Sequence, residues 1–482
     1  MPRTVLCIDL GSSYTKVHYV DRDGHFLWSG KRDAPMTFSG PSATQDMTST
    51  LEDVAALVRE GPVDGRDVVS VIATGQMGGY VPVDASGTFL EPLDSYLDTR
   101  FAAFARDVMA SEAMHVWQTS GGNPFVGPKV GRAVTMGQLP AGTVKVINAS
   151  AVPAMALCGL GAEAAFTDSA QVWLWGMYDV LAKQWDRSLA AAFHVPIGLL
   201  PTVLEPWTEV GGISGVWSKR LGLPSGTPVF AGAGDGMVGW FGVGAGEPGT
   251  AVDTAGTTSH LGIALDTYRP DVAEQVVACM RGVSPNQWFH QGWATGSGLA
   301  YDWIMEHLRD DQAAAVRAVP PGSEGVRVMP YFAGRTSPDQ PHQRGAILGL
   351  RPHHNRGHLL RATLEAVAFE FAHWIRVSRQ LGGGLGPDGV VSVGTGAQND
   401  VWLGIKADVV GVPFLQPPDI DYAARGAAAI AWHALGEGPL SCTPPSPEEC
   451  VRFEPDPERH TLYETLLDDY LELAERLNDR WE

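Results

Sequence analysis

The sequence predicts an α/β protein made of two related domains, residues 1–245 and 246–482. The chain has 482 residues, which is more than one hydrophobic core usually supports. An apolar strand at residues 5–9 runs into three small residues and then into an alternating strand at 16–20. The same order of strand, small residues and strand returns at 251–264, which indicates a duplicated domain.

The remaining elements of the first domain follow in chain order. Asp23 and Gly24 form a hairpin turn, which predicts a third strand at 25–28. Residues 50–59 have helical periodicity, and residues 68–73 form a continuous apolar strand of the buried type. Strands that alternate with helices and end in loops are typical of an α/β domain.

The second half of the chain predicts further elements of the same kind. A long amphipathic helix is expected at 359–380, a strand at 390–393 and another helix at 400–409. Residues 462–477 are apolar at helical spacing. Such a helix either packs on its own domain or binds a partner, and the packed helix is the commoner case.

Composition limits the classes of partner. The chain is 44% hydrophobic and 18% charged, and its formal net charge is −20. A surface this acidic repels nucleic acid and anionic membrane, so we expect neither as a partner. Five scattered cysteines predict neither a disulfide framework nor a zinc site. With no segment that reads as a signal peptide or a membrane span, we expect a soluble, cytoplasmic protein.

Asp9 ends the first strand and precedes the small residues Gly11, Ser12 and Ser13. Backbone N–H groups in such a turn can approach a phosphate, and the carboxylate can hold Mg²⁺. The alternative is a capped hairpin turn with no ligand. The spacing of a Walker loop is absent.

Asp235 lies between two glycines, directly after the strand predicted at 229–231. An aspartate in this position is either a helix cap or an exposed catalytic carboxylate, and caps are common. As a general base for phosphoryl transfer it would not need a raised pKa, because the acceptor hydroxyl loses its proton late in a loose transition state.

Two further glycine turns follow strands and allow a ligand to approach the backbone closely. The alternative is ordinary turns in a glycine-rich chain. They consist of Gly256, Thr257 and Thr258, and of Gly394, Thr395, Gly396 and Ala397.

Taken together, the order of these loops resembles the FGGY family of carbohydrate kinases. Residues 345–350, the seven residues after them and residues 358–365 are similar to the C-terminal signature of that family. Residues 329–338 are similar to the Pro-Tyr-Phe stretch that precedes it. The resemblance extends over residues 9–436.

The resemblance implies two duplicated actin-like, ribonuclease H-like ATPase domains with a cleft between them. The first domain would hold the sugar, the first phosphate loop and the catalytic aspartate, and the second the nucleotide. By position, Asp9 and Asp235 are metal-linked, and Asp235 is the catalytic base. Residues assigned to the nucleotide are Gly11, Ser12, Ser13, Lys16, Gly256, Thr257, Thr258, Gly394, Gly396, Ala397 and Asn399. Residues assigned to the sugar are Gln76, Met77, Gly78, Tyr96, Asp98, Arg100 and Asp235.

The sugar loops are closest in pattern to those of xylulose kinases, but they depart from that pattern. Gly78 stands where the pattern has a histidine, and Tyr96 stands where it has a tryptophan. The tryptophan that follows Lys129 in the N-terminal signature is also missing, and Gly131 and Arg132 occupy that place. The departures lie in the part of the chain that would contact the acceptor.

From this resemblance we expect an ATP- and Mg²⁺-dependent kinase that phosphorylates a hydroxyl of a small sugar or polyol. A ketose such as xylulose or a relative is the first expectation, and another polyol or an aldonate is the alternative. The other candidates are a non-catalytic nucleotide sensor and a hydrolase in which water, not a sugar, accepts the phosphoryl group. Retention of both Asp9 and Asp235 favours the kinase over the sensor. Kinases of this type are often dimers, so a homodimer is one assembly open to the chain.

Overall fold

The computed structural model describes residues 3–62, 64–256, 258–295, 312–332 and 334–481. The chain folds into two units. Unit 1 consists of Met1–Gly246, Met280–Gln287 and Ile420–Pro444, and unit 2 consists of Glu247–Cys279, Trp288–Asp419 and Pro445–Glu482. Each unit has its own cluster of buried apolar side chains.

The strands of residues 3–246 are β1 (Thr4–Leu10), β2 (Tyr14–Asp21), β3 (Phe26–Asp33), β4 (Thr37–Ser39), β5 (Ser42–Gln45), β6 (Val68–Gly75), β7 (Val81–Val83), β8 (Leu93–Asp94), β9 (Lys145–Ile147), β10 (Phe166–Asp168), β11 (Tyr178–Asp179), β12 (Gln184–Trp185), β13 (Thr202–Leu204), β14 (Glu209–Gly212) and β15 (Pro228–Gly234). The α-helices are α1 (Met47–Glu60), α2 (Ala102–Ser120), α3 (Val126–Thr135), α4 (Ala151–Cys158), α5 (Arg187–Ala192), α6 (Gly215–Leu221) and α7 (Asp235–Gly242).

The strands of residues 247–481 are β16 (Ala251–Ala255), β17 (Ser259–Leu265), β18 (Ala278–Arg281), β19 (Trp288–Ala294), β20 (Arg327–Met329), β21 (Arg335–Thr336), β22 (Asp339–Gln340), β23 (Ala346–Leu348), β24 (Val390–Val393), β25 (Phe414–Gln416) and β26 (Val451–Phe453). The described α-helices are α8 (Gln312–Arg317), α9 (Arg356–Gln380), α10 (Asp400–Val410), α11 (Tyr422–Ala434) and α12 (Pro457–Trp481).

The main sheets of the two units have the same strand arrangement, which confirms the predicted duplication. In unit 1 the order is β14-β15-β6-β1-β2-β3, and in unit 2 it is β26-β25-β24-β16-β17-β19-β18. In each sheet an antiparallel hairpin (β1 with β2, β16 with β17) is followed by a parallel partner (β6, β24). A second parallel partner (β15, β25) then pairs with an antiparallel edge strand. The correspondence supports the α/β fold expected from the sequence.

A late segment of the chain completes unit 1. Helix α11 packs against α7 and β1, although more than 400 residues separate it from β1 in the sequence. Two glycines allow the helices to approach closely. A Cβ atom on Gly242 would lie 1.8 Å from the carbonyl oxygen of Tyr422, and one on Gly426 would lie 2.2 Å from that of Val238. Backbone therefore contacts backbone at this crossing.

We expect Gly242→Ala to destabilise unit 1 by about 1–3 kcal/mol, because the added methyl group overpacks the crossing of α7 and α11. Chemical denaturation followed by tryptophan fluorescence would measure the loss. Gly239→Ala in the same helix is the matched control, because a Cβ there meets no atom within 4 Å. Equal stability of the two variants would contradict the prediction.

The position of α11 also corrects the predicted domain boundaries. A single division after residue 245 assigned all of 246–482 to the second domain, but residues 280–287 and 420–444 belong to unit 1. The physical reason is that α11 buries its apolar face on α7 and β1. Sequence proximity does not reveal such a return.

Helix α12 packs on its own unit, as expected for the commoner of the two interpretations. Its buried side chains, Tyr463, Leu467, Tyr470 and Ala474, join the apolar core of unit 2. Among the helices that the structure describes, none is both long and apolar enough to cross a membrane.

Candidate active site

Three parallel strands of unit 1 end at the same edge of the sheet. Leu10 of β1 is in register with Gly75 of β6, and Gly75 is in register with Gly234 of β15. The segments that follow these strands therefore begin side by side, as loops do at the carboxyl edge of an α/β sheet. They contain the phosphate-turn candidates, the loop at 76–79 and Asp235.

Asp9 and Lys16 face each other across the β1–β2 hairpin. Their Cα atoms are cross-strand partners, and side chains opposite each other in an antiparallel pair lie on the same face. Lys16 Nζ is 3.2 Å from Asp9 Oδ2. Asp9 is buried, and its other oxygen, Oδ1, is also buried and has no hydrogen-bond partner among the residues that the structure describes. Burial raises the pKa of Asp9, while the Lys16 ammonium opposes that effect.

Asp421 brings a second carboxylate to Lys16 from the start of α11. Lys16 Nζ is 2.9 Å from Asp421 Oδ2, and His18 Nε2 is 3.5 Å from the same oxygen. Asp421 Oδ1 also accepts the Ala424 N–H at 2.9 Å and caps the helix. Burial acts to raise the pKa of Asp421, but His18 and Lys16 outweigh it and hold that pKa well below its usual range.

Asp235 is the first residue of α7 and is half-buried. Its Oδ1 accepts the Gly236 N–H at 2.7 Å. Burial and the negative charge of Asp9 raise the pKa of Asp235 to about 7. A backbone bulge precedes it at Gly232, whose φ is +66° and whose Cβ, if present, would lie 1.7 Å from the carbonyl oxygen of Ala73. Only glycine fits there, and the bulge sets the direction in which Asp235 leaves the strand.

The acceptor-wall candidates Met77, Gly78 and Tyr96 lie beside Asp235. Met77 covers Gly234, because a Cβ on that glycine would meet Met77 Cγ at 2.5 Å. A Cβ on Gly78 would lie 3.3 Å from Tyr96 Cβ. Burial together with the charge of Asp235 raises the pKa of the Tyr96 phenol, and the nearby Ser12 side chain opposes that shift. The Ser12 turn, the acceptor-wall candidates and Asp235 therefore lie close together.

Two residues that the resemblance assigned to the sugar have protein partners instead. Gln76 is 2% exposed, and its amide is hydrogen-bonded to Gln45 and Ser95. Asp98 is 1% exposed and accepts hydrogen bonds from Ala43 N–H and from Arg100. Both support the loop from within, and their role toward the sugar stays a prediction.

Arg100 keeps a partly exposed guanidinium beside the wall. Its Nε donates to Asp98 Oδ2 at 2.7 Å and its Nη2 to Asp94 Oδ2 at 3.0 Å. About a third of its side chain is exposed. The two carboxylates fix the direction of the guanidinium, so Arg100, unlike Gln76 and Asp98, has exposed surface to offer a ligand.

The nucleotide candidates of unit 2 lie at the corresponding edge of the second sheet. Strands β16 and β24 are parallel, with Thr254 in register with Val393, so Gly256 and Gly394 follow neighbouring strands. Cβ atoms on Gly394 and Gly396 would collide with Ala255. Ala397 is buried, and the remaining candidates are Thr258, which is half-buried, and Asn399, whose side chain caps α10. Thr257 lies outside the described residues.

Sequence reasoning missed His18, Gln45 and Asp421. A helix-start signal was present, since Asp421 precedes an alanine-rich run and aspartate is a preferred cap. That signal predicts a cap and gives no indication that the cap reaches the hairpin of residues 4–21. Gln45 and His18 carry no motif at all.

Similarity to known proteins agrees with this arrangement. Residues 155–242 match the N-terminal domain of the FGGY family of carbohydrate kinases, and residues 251–435 match its C-terminal domain. The xylulose kinase of Bacillus subtilis (strain 168) is 23% identical, over 98% of this chain and 97% of its own. The glycerol kinase of Citrifermentans bemidjiense is 30% identical, over 62% of this chain and 61% of its own.

Among solved structures, the gluconate kinase of Lactobacillus acidophilus has the same fold. Its TM-score is 0.88 at 19% identity, with 99% of each chain covered. These three relatives are named for three different acceptors.

Proposed function

The chain belongs to the FGGY family of carbohydrate kinases, and on this basis we propose that it transfers the terminal phosphoryl group of ATP to a hydroxyl of a ketose. In the proposed reaction a bond forms between the acceptor oxygen and the γ-phosphorus, and the bond from that phosphorus to the β–γ bridging oxygen breaks. The proton of the acceptor hydroxyl goes to Asp235.

The observation that carries the proposal is the pairing of Asp9 and Asp235 at one edge of the sheet. Burial and the negative charge of Asp9 raise the pKa of Asp235 to about 7. A general base is most effective when its pKa is near the operating pH. A nucleotide sensor would have no use for this second carboxylate.

The carboxylates also fit a hard divalent cation. Asp9, Asp235 and Asp421 outnumber the single ammonium of Lys16, and Asp9 Oδ1 is a buried oxygen without a partner. Oxygen donors of this kind suit Mg²⁺. Asp9, with Asp235, would hold the ion, which would neutralise charge on the phosphates. Lys16 remains fixed between Asp9 and Asp421 and keeps the turn in place.

The substrate class rests on the wall made by Met77, Gly78 and Tyr96. Their segments are closest to the pattern of xylulose kinases, which favours a ketose, with the phosphate on a primary hydroxyl. The missing histidine at Gly78 favours the alternative of another polyol or an aldonate. Both readings use the same base and the same nucleotide.

A coupled assay of ADP release over a panel of acceptors tests the proposal. The panel should contain pentuloses, tetruloses, alditols and aldonates, each with ATP and Mg²⁺. We expect one class to give turnover well above the rate of ATP hydrolysis without acceptor. Turnover that no acceptor increases would contradict a kinase, and a preference for aldonates would replace the ketose by the alternative.

We expect Asp9→Asn to weaken activation by Mg²⁺ by about 10- to 100-fold, as is usual when a group that positions a metal is lost. Titrating Mg²⁺ against rate at saturating ATP and acceptor measures the effect. Asp33→Asn, on an exposed position of β3, is a control of equal charge change. An unchanged apparent Mg²⁺ affinity would count against the role of Asp9.

We expect Gly78→His with Tyr96→Trp to shift acceptor preference toward D-xylulose, because the pair restores the wall of the xylulose kinase pattern. Gly78 has φ +78°, so any side chain there costs about 1–2 kcal/mol of backbone strain. Gly78→Ala with Tyr96→Trp is the control, because it carries the same strain without the imidazole. The prediction fails if the unchanged protein already prefers D-xylulose with kcat/KM on the order of 10⁴ M⁻¹s⁻¹ or more.

A further inference from the structure

A continuous chain of buried hydrogen bonds crosses unit 1 beneath the candidate active site. Lys129 Nζ donates to the carbonyl oxygen of Ser95, and Ser95 Oγ donates to Gln76 Oε1 at 2.9 Å. Gln76 Nε2 donates to Gln45 Oε1 at 2.5 Å, and Gln45 Nε2 donates to the carbonyl oxygen of Gly11 at 3.4 Å. All four side chains are buried, with exposures of 3% or less.

The two ends of this hydrogen-bond chain lie next to the acceptor wall and the phosphate turn. Ser95 precedes Tyr96 of the acceptor wall, and Gly11 precedes Ser12 of the phosphate turn. The Ser12 side chain also lies close enough to the Tyr96 phenol to affect its pKa. The hydrogen-bond chain therefore links two segments that approach each other at the candidate site.

The amide of Gln45, like that of Gln76, has a chemistry for which there is no simple substitute. It accepts from Gln76 through oxygen and donates to Gly11 through nitrogen. A glutamate could accept but would have no N–H to donate, and a methionine of similar length could do neither. Either replacement leaves a buried polar group without its partner, which the protein avoids by local movement.

We propose that Gln45 and Gln76 are positioning residues that set the separation between the phosphate turn at Gly11 and the acceptor wall at Tyr96. The proposal rests on the proposed kinase function. Neither side chain contacts the reacting atoms. They act by holding two backbone segments at the spacing at which the acceptor hydroxyl is aligned with the γ-phosphorus, an alignment that is sensitive to shifts of about 1 Å.

Kinetics of Gln45→Met and Gln76→Met test this role. We expect kcat to fall by about 10- to 100-fold. The KM for ATP should change less than about threefold, because these residues align the reacting groups and do not bind ATP. ATP hydrolysis without acceptor should persist, so the ratio of acceptor phosphorylation to ATP hydrolysis should fall. The kcat of the double variant should be no lower than that of the poorer single variant, because both residues belong to one hydrogen-bond chain. Gln45→Glu should be impaired as well, since it lacks the donor for Gly11.

Val54→Ala, a buried truncation in α1 of the same unit, is the control for general loss of stability. It should leave the ratio of acceptor phosphorylation to ATP hydrolysis unchanged. An unchanged ratio in Gln45→Met, or independent and additive effects of the two glutamine variants, would overturn the proposal.

Backbone hydrogen exchange separates failure of this proposal from failure of the kinase function, because it requires no activity. In Gln45→Met we expect faster exchange both at residues 11–13 and at residues 95–97, with no such pair of changes in Val54→Ala. Faster exchange confined to residues near 45 would overturn the mechanical link. If the unchanged protein phosphorylates no acceptor, the proposed kinase function is wrong. The exchange measurement still decides whether the hydrogen-bond chain couples the two segments.

Discussion

Replacing Asp235 by asparagine is expected to lower kcat by about 10²- to 10⁴-fold, the usual effect of losing a general base. The asparagine keeps the size and the backbone hydrogen bond of the aspartate at the start of α7, but it cannot take up the proton of the substrate hydroxyl. Initial rates at saturating ATP, Mg²⁺ and acceptor measure the loss. ATP binding, followed by calorimetry, should remain within a few-fold of the unchanged protein.

Asp23→Asn is the matched control, because Asp23 is exposed in the turn after β2 and its replacement changes the formal charge equally. A variant at Asp235 that retains more than about a tenth of kcat would disprove its assignment as the base. Loss of ATP binding together with turnover would indicate that the substitution disturbs the fold of the site and would also count against a purely catalytic role.

The second large effect is expected in unit 2, where Lys406→Met should lower the free energy of unfolding by about 3–5 kcal/mol. Lys406 Nζ lies 2.5 Å from Asp253 Oδ2, and both side chains are fully buried. Ser392 Oγ also donates to this carboxylate at 2.7 Å. Burial lowers the pKa of Lys406, and Asp253 opposes that shift. Removing the ammonium leaves a buried carboxylate without its counter-charge.

Chemical denaturation followed by tryptophan fluorescence measures this loss, since Lys406 lies 3.9 Å from the ring centroid of Trp402. The double variant Lys406→Met with Asp253→Asn should recover most of the stability, because Ser392 can still bond the amide and no charge is buried. Equal stability of the single and the double variant would contradict the account of a paired charge.

Local patterns predicted the strands well and identified Asp9 and Asp235 as candidates. The hairpin of β1 and β2, the strand β15 and the loop aspartates are encoded within a few residues, as apolar runs that end in small or acidic residues. The fold class followed from the repetition of that pattern at β16 and β17. The boundaries of α1 and α9 differ by three residues or fewer from those expected, because fraying ends carry weak signals.

The contacts that the sequence did not predict have a common physical cause. Gln76 and Asp98 were assigned to the sugar by resemblance, and the sequence does not indicate the protein partners that they also have. Two of these partners, Gln45 and Ala43, lie 31 and 55 residues away. Asp421 is 405 residues from Lys16. Pairings at such distances depend on the tertiary fold and leave no periodicity to detect.

The return of α11 to unit 1 affects the order in which the two units can fold during synthesis. About 190 residues separate Gly246 from the end of α11, and a ribosome takes roughly 10–40 s to add them. During that interval β1, β6 and α7 have been synthesised without the helix that covers them, and Lys16 has no Asp421. Unit 1 therefore finishes folding only after most of unit 2 has emerged. A nascent chain stalled before residue 420 should be protease-sensitive in its N-terminal half. A stop codon at the same place should give a truncated protein that is degraded in the cell, so that neither unit accumulates.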